Sequence, residues 1–213
     1  LARGMVLMRH RALVLPALML AALTAAAGPV EVRSPDGRTL VTVDVDRNGA
    51  PRYAVHHDGV AILAPAQLGL RFQSQPAFVE GFRIAGSRVD EHDATWEQPW
   101  GERRFVRDHH RQLLVQFEST QAPSRRFDLR LRVFDDGLGF RYEVPRQPGY
   151  DAVNITEELT EFRLDEKQVD DITAWWIPGR GWNRYEYLYN TPPLADVHME
   201  HTAMTVRLPG GMH

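Results

Sequence analysis

The densest collection of side chains that could do chemistry lies in residues 175–189. Trp175, Trp176, Trp182, Tyr185, Tyr187 and Tyr189 place six of the chain's 20 aromatics in that stretch, with Pro178, Gly179 and Gly181 between them. Aromatic faces beside polar groups suit sugar rings, whose C–H faces are apolar and whose hydroxyls need donors and acceptors. The same composition suits a long loop pinned to its domain by Trp and Tyr anchors, and both readings stay open on the residues alone. Glu186 is the single acid there. A carboxylate among aromatic neighbours needs a cation, a hydrogen-bond donor or a raised pKa. A hard cation such as Ca²⁺ takes oxygen ligands, so metal binding is one of the readings of Glu186.

A second aromatic–acid group is Trp96, Glu97, Gln98, Pro99, Trp100, Gly101 and Glu102. Two carboxylates on separate elements can act as acid and base in glycoside hydrolysis. Glu97 and Glu102 sit within one loop, and this group reads as a structural turn. The acids Glu157, Glu158, Glu161, Asp165, Glu166, Asp170 and Asp171 read as a solvated face. The histidines occur as His56-His57, His109-His110 and His198 with His201. In a strand His198 and Glu200 share a face while His201 points away, which is awkward for a three-ligand metal site. Exposed or hydrogen-bonded histidines are expected. No phosphate loop, dinucleotide fingerprint, Gly-x-Ser-x-Gly elbow or Asp-rich calcium loop is present. With no cysteine in the chain, thiol nucleophiles, thiolate zinc sites and redox motifs are excluded.

The elements that would position these groups are strands. Val41, Val43 and Val45 alternate with polar residues, as do Leu113, Val115 and Phe117, then Phe127, Leu129, Leu131 and Val133, then Phe140, Tyr142 and Val144. Period two is the pattern of a half-buried strand. Shorter versions stand at 82–84, 153–155 and 162–164. Asp36-Gly37, Asn48-Gly49, Asp58-Gly59, Asp136-Gly137 and Pro148-Gly149 punctuate the runs, and such pairs tolerate the positive φ of tight hairpins. No helical stripe is sustained, and 14 prolines would interrupt one. The expected fold is all-β, an antiparallel sandwich.

Residues 1–27 read as a removable signal peptide. Arg9 and Arg11 form a basic start, residues 12–24 an uncharged apolar run, and Ala25-Ala26-Ala27 a small-residue cleavage site. This implies export to the periplasm or beyond, with no membrane anchor in the mature form, and a domain over 28–213. Loss of Arg3, Arg9 and Arg11 would take the formal charge from −3 to −6. A chain that acidic lacks the basic footprint of a nucleic-acid binder. Residues 203–208 predict a strand and 209–211 a turn without a return strand, the pattern of a chain cut inside a domain.

Four segments in order carry a resemblance: Ser34-Pro35-Asp36-Gly37; residues 95–102 with Trp96, Trp100 and Glu102; residues 134–143, opening Phe134-Asp135-Asp136-Gly137; and Trp176-Ile177-Pro178-Gly179 leading to Tyr185-Glu186-Tyr187. Together they resemble the N-terminal region of glycoside hydrolase family 97, calcium-dependent α-glucosidases and α-galactosidases, over residues 33–213. The resemblance implies a galactose-mutarotase-like β-super-sandwich packed on a catalytic (β/α)₈ barrel that this chain lacks. It implies Ca²⁺ as cofactor, with Glu186 as the N-domain ligand joining barrel carboxylates, and α-glucoside or α-galactoside oligosaccharides as substrates. The catalytic acid and the base or nucleophile would lie on the barrel, so no catalytic residue is assigned in this chain. Retaining and inverting members both occur. Trp96 and Trp100 are read as structural, while sugar contact from Trp175, Trp176 or Trp182 stays open. Two other readings are a free-standing carbohydrate-binding sandwich and a mutarotase-like sugar epimerase.

Overall fold

The computed structural model describes residues 28–164, 172–176, 188–191, 193–197 and 204–208. Alternation is realised where it was expected. In β2 (Thr39–Val45) Val41 and Val43 are buried, and in β8 (Arg126–Phe134) Phe127, Leu129, Leu131 and Val133 are all fully buried. The chain adds β1 (Val30–Arg33), β3 (Pro51–His57) and β4 (Val60–Gln67) to β2 as one antiparallel sheet in the order β1-β2-β3-β4. After the short β5 (Leu70–Phe72), the long hairpin of β6 (Phe82–Glu97) and β7 (Phe105–Ser119) joins β8 and β9 (Gly137–Glu143) in a second sheet, β6-β7-β8-β9. β10 (Ile155–Glu158) pairs with β5, and β11 (Thr173–Trp175) pairs with β12 (Thr205–Arg207). Among the described residues the only helical element is a 3₁₀ turn at Leu194–Asp196.

The inward residues of both four-stranded sheets form one core, so this is an antiparallel sandwich. Its centre is a pile of rings. Phe127 stacks on Phe78 at 5.0 Å and on Phe117 at 4.7 Å, and Phe78 stacks on Tyr150 at 5.2 Å. Phe82 closes the pile edge-on to both Phe78 and Phe127.

The segment after β9 straps the sandwich. Asn154 accepts from the Gln73 amide, Leu159 donates to Gly69, Glu161 donates to Gln67, and Arg163 accepts from Ala64. Two tyrosines fasten it, Tyr53 buried and Tyr142 half-buried. Tyr53 Oη donates to the Glu161 carbonyl at 2.7 Å, and Tyr142 Oη meets Thr160 Oγ1 at 2.8 Å while accepting from the Gly69 amide. Burial pushes the Tyr53 hydroxyl up to about 12, so it is a permanent donor. Residues 162–164, expected as a strand, instead run alongside β4 through the single bond to Ala64. The acids at 157, 158 and 161 are exposed as expected but engaged: Glu157 pairs with Arg71, Glu158 accepts from Thr160, and Glu161 accepts from the Gln67 amide.

One turn differs from its sequence reading. The β8–β9 hairpin turns on Asp135-Asp136, and Gly137 opens β9 opposite Phe134. Asp58-Gly59, by contrast, forms the β3–β4 turn with both residues at positive φ, 50° and 80°.

Candidate functional site

One end of the sandwich gathers the segments singled out in the sequence. The β1–β2 turn holds Ser34, Asp36 and Gly37. Ser34 Oγ donates to Asp36 Oδ1 and accepts from the Thr39 amide. The Asp36 amide then donates to Asp135 Oδ1 at 2.9 Å, 99 residues away, so the turns of the two sheets are tied to each other. Arg38 forks onto Asp58 in the neighbouring β3–β4 turn. Arg111 of β7 donates to the Ser34 carbonyl and to Glu91. This ties the same turns to the base of the β6–β7 hairpin.

Three carboxyls here are held ionised. Asp36 lies below its ordinary range chiefly through the Ser34 hydroxyl, Asp58 through Arg38, and Glu91 through Arg111. None of these three is poised to deliver a proton near neutral pH. The arrangement rigidifies the end of the domain.

The aromatic segment enters at this end as well. Val206 of β12 and Leu208 line a groove of about 440 Å³ with Thr39, Val55, His57, Ile62 and Leu138, beside Asp135 and Asp136. On β11 the alternation buries Ala174, with Ile172 before it and Trp176 after it also buried. Trp175 points the other way, with the Arg207 guanidinium 5.5 Å from its ring. Trp176 and Asn190 then exchange both backbone hydrogen bonds, N to O at 3.2 and 2.9 Å. The chain therefore leaves at Trp176 and returns to the same point at Asn190. Trp176 is an anchor of that closure, as the packing reading of the segment requires. Glu186, Trp182 and the His198–His201 group lie outside the described residues.

From this end the β6–β7 hairpin projects as an arm. Its register runs unbroken from Ser87 opposite Val115 to Glu97 opposite Phe105, beyond the last rung of β7 with β8 at Arg111 and Val133. Glu97 pairs with Arg104 and Asp93 with Arg107, and the loop closes by Gln98 donating to the Arg104 carbonyl. Glu97 thus serves the turn, as expected. The tryptophans do not: Trp96 is 51% and Trp100 81% exposed, so neither anchors the turn to the sandwich. A turn motif says which residues reverse the chain, and only the length of the strands says how far from the core they do it.

Three of the described histidines are hydrogen-bonded, whereas the buried Nδ1 of His56 has no hydrogen-bond partner. His57 Nδ1 meets Thr39 Oγ1 at 2.9 Å, and the buried His110 meets Asp108 Oδ1 at 2.6 Å while packing on Phe134. His109 meets Glu91 at 3.4 Å on the open arm, with Arg111 on the same carboxylate. Among the described residues no group of three or more His, Asp or Glu side chains could hold a metal ion.

A family model described as the glycosyl-hydrolase 97 N-terminal domain matches residues 32–213. The chain belongs to this family. Its fold matches that of a glycoside hydrolase family 97 enzyme from Pseudoalteromonas sp. strain K8, solved in complexes with panose and with acarbose. The likeness is 39% identity at a TM-score of 0.79, covering 84% of this chain and 27% of that one. A β-arabinopyranosidase structure is similar at 26% identity and a TM-score of 0.74, over 84% of this chain and 30% of its own. A probable retaining α-galactosidase of Streptomyces bingchenggensis is 28% identical over 181 residues, 79% of this chain and 24% of the relative. This family 97 N-terminal domain thus spans about a quarter of the length of the relatives it matches.

Proposed function

We propose that this chain is the supporting, calcium-ligand-donating N-terminal domain of an exported glycosidase that removes terminal α-glucosyl or α-galactosyl residues. The reading is carried by the family match over residues 32–213. Relatives that share the domain are glycosidases about four times its length. The 39% identity to the enzyme bound to panose and acarbose, against 28% to the probable α-galactosidase, favours an α-glucoside as substrate.

Ca²⁺ takes six to eight oxygen ligands, and the described residues offer no cluster that could serve. The described residues therefore build no calcium site by themselves. The reading is that Glu186 gives one oxygen ligand to a site whose other ligands lie outside this chain. The Trp176–Asn190 pairing supports it by fixing where that segment leaves and rejoins the fold, with Asn190 four residues from Glu186 in sequence. Residues 1–27 supply the export signal in this reading, and the catalytic acid and its partner lie beyond the chain.

The test is hydrolysis by the full-length protein. Aryl α-glucosides and aryl α-galactosides are offered in parallel, with and without a calcium chelator. Cleavage of either substrate that chelation abolishes and added Ca²⁺ restores is the expected result. No cleavage of either would overturn the glycosidase reading, and cleavage indifferent to the chelator would overturn the calcium part.

A further inference from the structure

The β6–β7 arm has a feature that domain support in general does not explain. A two-stranded ribbon is marginal in water on its own, yet this one extends well past the sandwich and carries aromatics at its far end. Residues directly opposite in a ladder share a face. Trp96 therefore shares one face with Val106 and Ala94, while Phe105 shares the other with Glu97. Trp100 sits in the connecting loop. Exposures of 51%, 59% and 81% for Trp96, Phe105 and Trp100 show that the sandwich covers none of the three.

Most charges along the ladder of the arm are paired within it. Glu91 pairs with Arg111 and His109, Asp93 with Arg107, and Glu97 with Arg104, whose guanidinium also lies over the Phe105 ring at 5.1 Å. What remains for a partner is the aromatic tip, with the exposed Glu102 and Arg103 beside it in the loop and paired charges behind it, the composition of an interface anchor with a polar rim. Apolar groups on both faces and at the turn would be only half covered by a flat surface. A groove would cover all three.

We propose that the tip of this arm, Trp96, Trp100 and Phe105, is seated in a groove of the catalytic part of the same polypeptide, clamping the two parts together. This rests on the reading of the chain as one part of a longer glycosidase. Size and place point to this occupant. The domain accounts for 27% of the solved enzyme it matches, so most of such a molecule is available to pack on it. The arm leaves from the same end as the tied turns at 34–37 and 135–136 and the Trp176–Asn190 closure. An exposed aromatic cluster of this kind marks a contact site.

The test uses the full-length protein with a photoreactive phenylalanine analogue at position 100, irradiated and digested for mass spectrometry. The expected product is an internal crosslink to a peptide C-terminal to residue 213, in a species of monomer mass. A crosslink to a second molecule, to added oligosaccharide, or to nothing outside residues 28–213 would overturn the proposal. Hydrogen exchange provides a measurement without substitution. The amides of residues 100–103 are expected to exchange at least roughly tenfold slower than unstructured amides in the full chain, and free exchange counts against the clamp. Glycosidase activity measured on the same samples keeps the two ideas apart. An active enzyme without the crosslink sinks the arm alone, and an inactive one sinks the proposed function whatever the arm does.

Discussion

Phe127 is where the sandwich is most sensitive. Its side chain is fully buried, stacks on Phe78 and Phe117, meets Phe82 edge-on at 5.1 Å and lies 6.2 Å from Tyr142. These contacts join β6, β7, β8 and β9 to the residues after β5. Phe127→Ala removes the ring from the middle of the pile and leaves a cavity walled by other rings, which collapse poorly. Large-to-small changes of this type cost about 3–5 kcal/mol, and a domain of this size loses roughly 2–4 °C per kcal/mol. The expected fall in Tm is therefore about 6–20 °C. Phe127→Leu keeps most of the volume and loses the ring contacts, each worth about 0.5–1.5 kcal/mol beyond area, so about half the loss is expected. Urea unfolding followed by far-UV circular dichroism measures both. A loss below about 1 kcal/mol for Phe127→Ala would refute the reasoning, since it would mean that the ring pile is not the core that holds the sheets together.

Other expectations follow from charges and turns. Glu143 accepts from Arg130 through both oxygens and from Arg141, and Arg130 first and Arg141 second hold its carboxyl down at about 2, against desolvation. A lowered carboxylate stabilises the fold above its ordinary pKa, and that stability is lost as pH falls from about 4.5 through about 2. With its side chain 27% exposed, solvent screening reduces the effect, so Glu143→Gln should cost about 1–2 kcal/mol near neutral pH. The gap from wild type should close as the pH approaches that lower limit; a gap that persists there would contradict the linkage. Gly49 has φ +72°, and a Cβ on it would stand 2.6 Å from both Phe82 N and Phe82 O. Gly37, at φ +80°, has open space. Gly37→Ala should cost only the backbone strain of about 1–2 kcal/mol. Gly49→Ala should cost clearly more in the same denaturation experiment, because the backbone it meets cannot turn aside. Equal losses would mean that the β2–β3 turn does not press on β6. Removing the Tyr53 hydroxyl with Tyr53→Phe leaves the Glu161 carbonyl short of its donor. Proteolysis within residues 155–163 should then quicken, and an unchanged digestion rate would argue against the strap.

Legibility in the sequence followed burial. β2, β7, β8 and β9 announce themselves because one face of each meets the core, so apolar residues recur every second position. The outer arm is a regular ladder too, but past His110 it lies outside the core of the sandwich, and Asp90, Glu91, His92 and Asp93 carry no alternation. Its one readable signal was charge: acids at 91, 93 and 97 pair with bases at 111, 107 and 104 across a turn that holds Pro99 and Gly101. The reverse error occurred at 162–164, where alternation is present but only Arg163 finds a ladder partner. The end-to-end tie of Asp36 to Asp135 spans 99 residues and has no local trace. It is visible only once both sheets are folded. Family membership was legible because four short segments stand in order, whereas the role proposed for Glu186 lies outside the described structure.

The claim that this domain lends a carboxylate to a shared calcium site is tested most directly by calorimetric Ca²⁺ titration of the full-length protein and its Glu186→Gln variant. The expected result is one high-affinity site in the wild type and binding weakened at least roughly tenfold in the variant, about 1.4 kcal/mol, with the Tm measured without calcium unchanged. Equal affinity in the two proteins would remove Glu186 from the site and leave the domain a purely structural part of the enzyme.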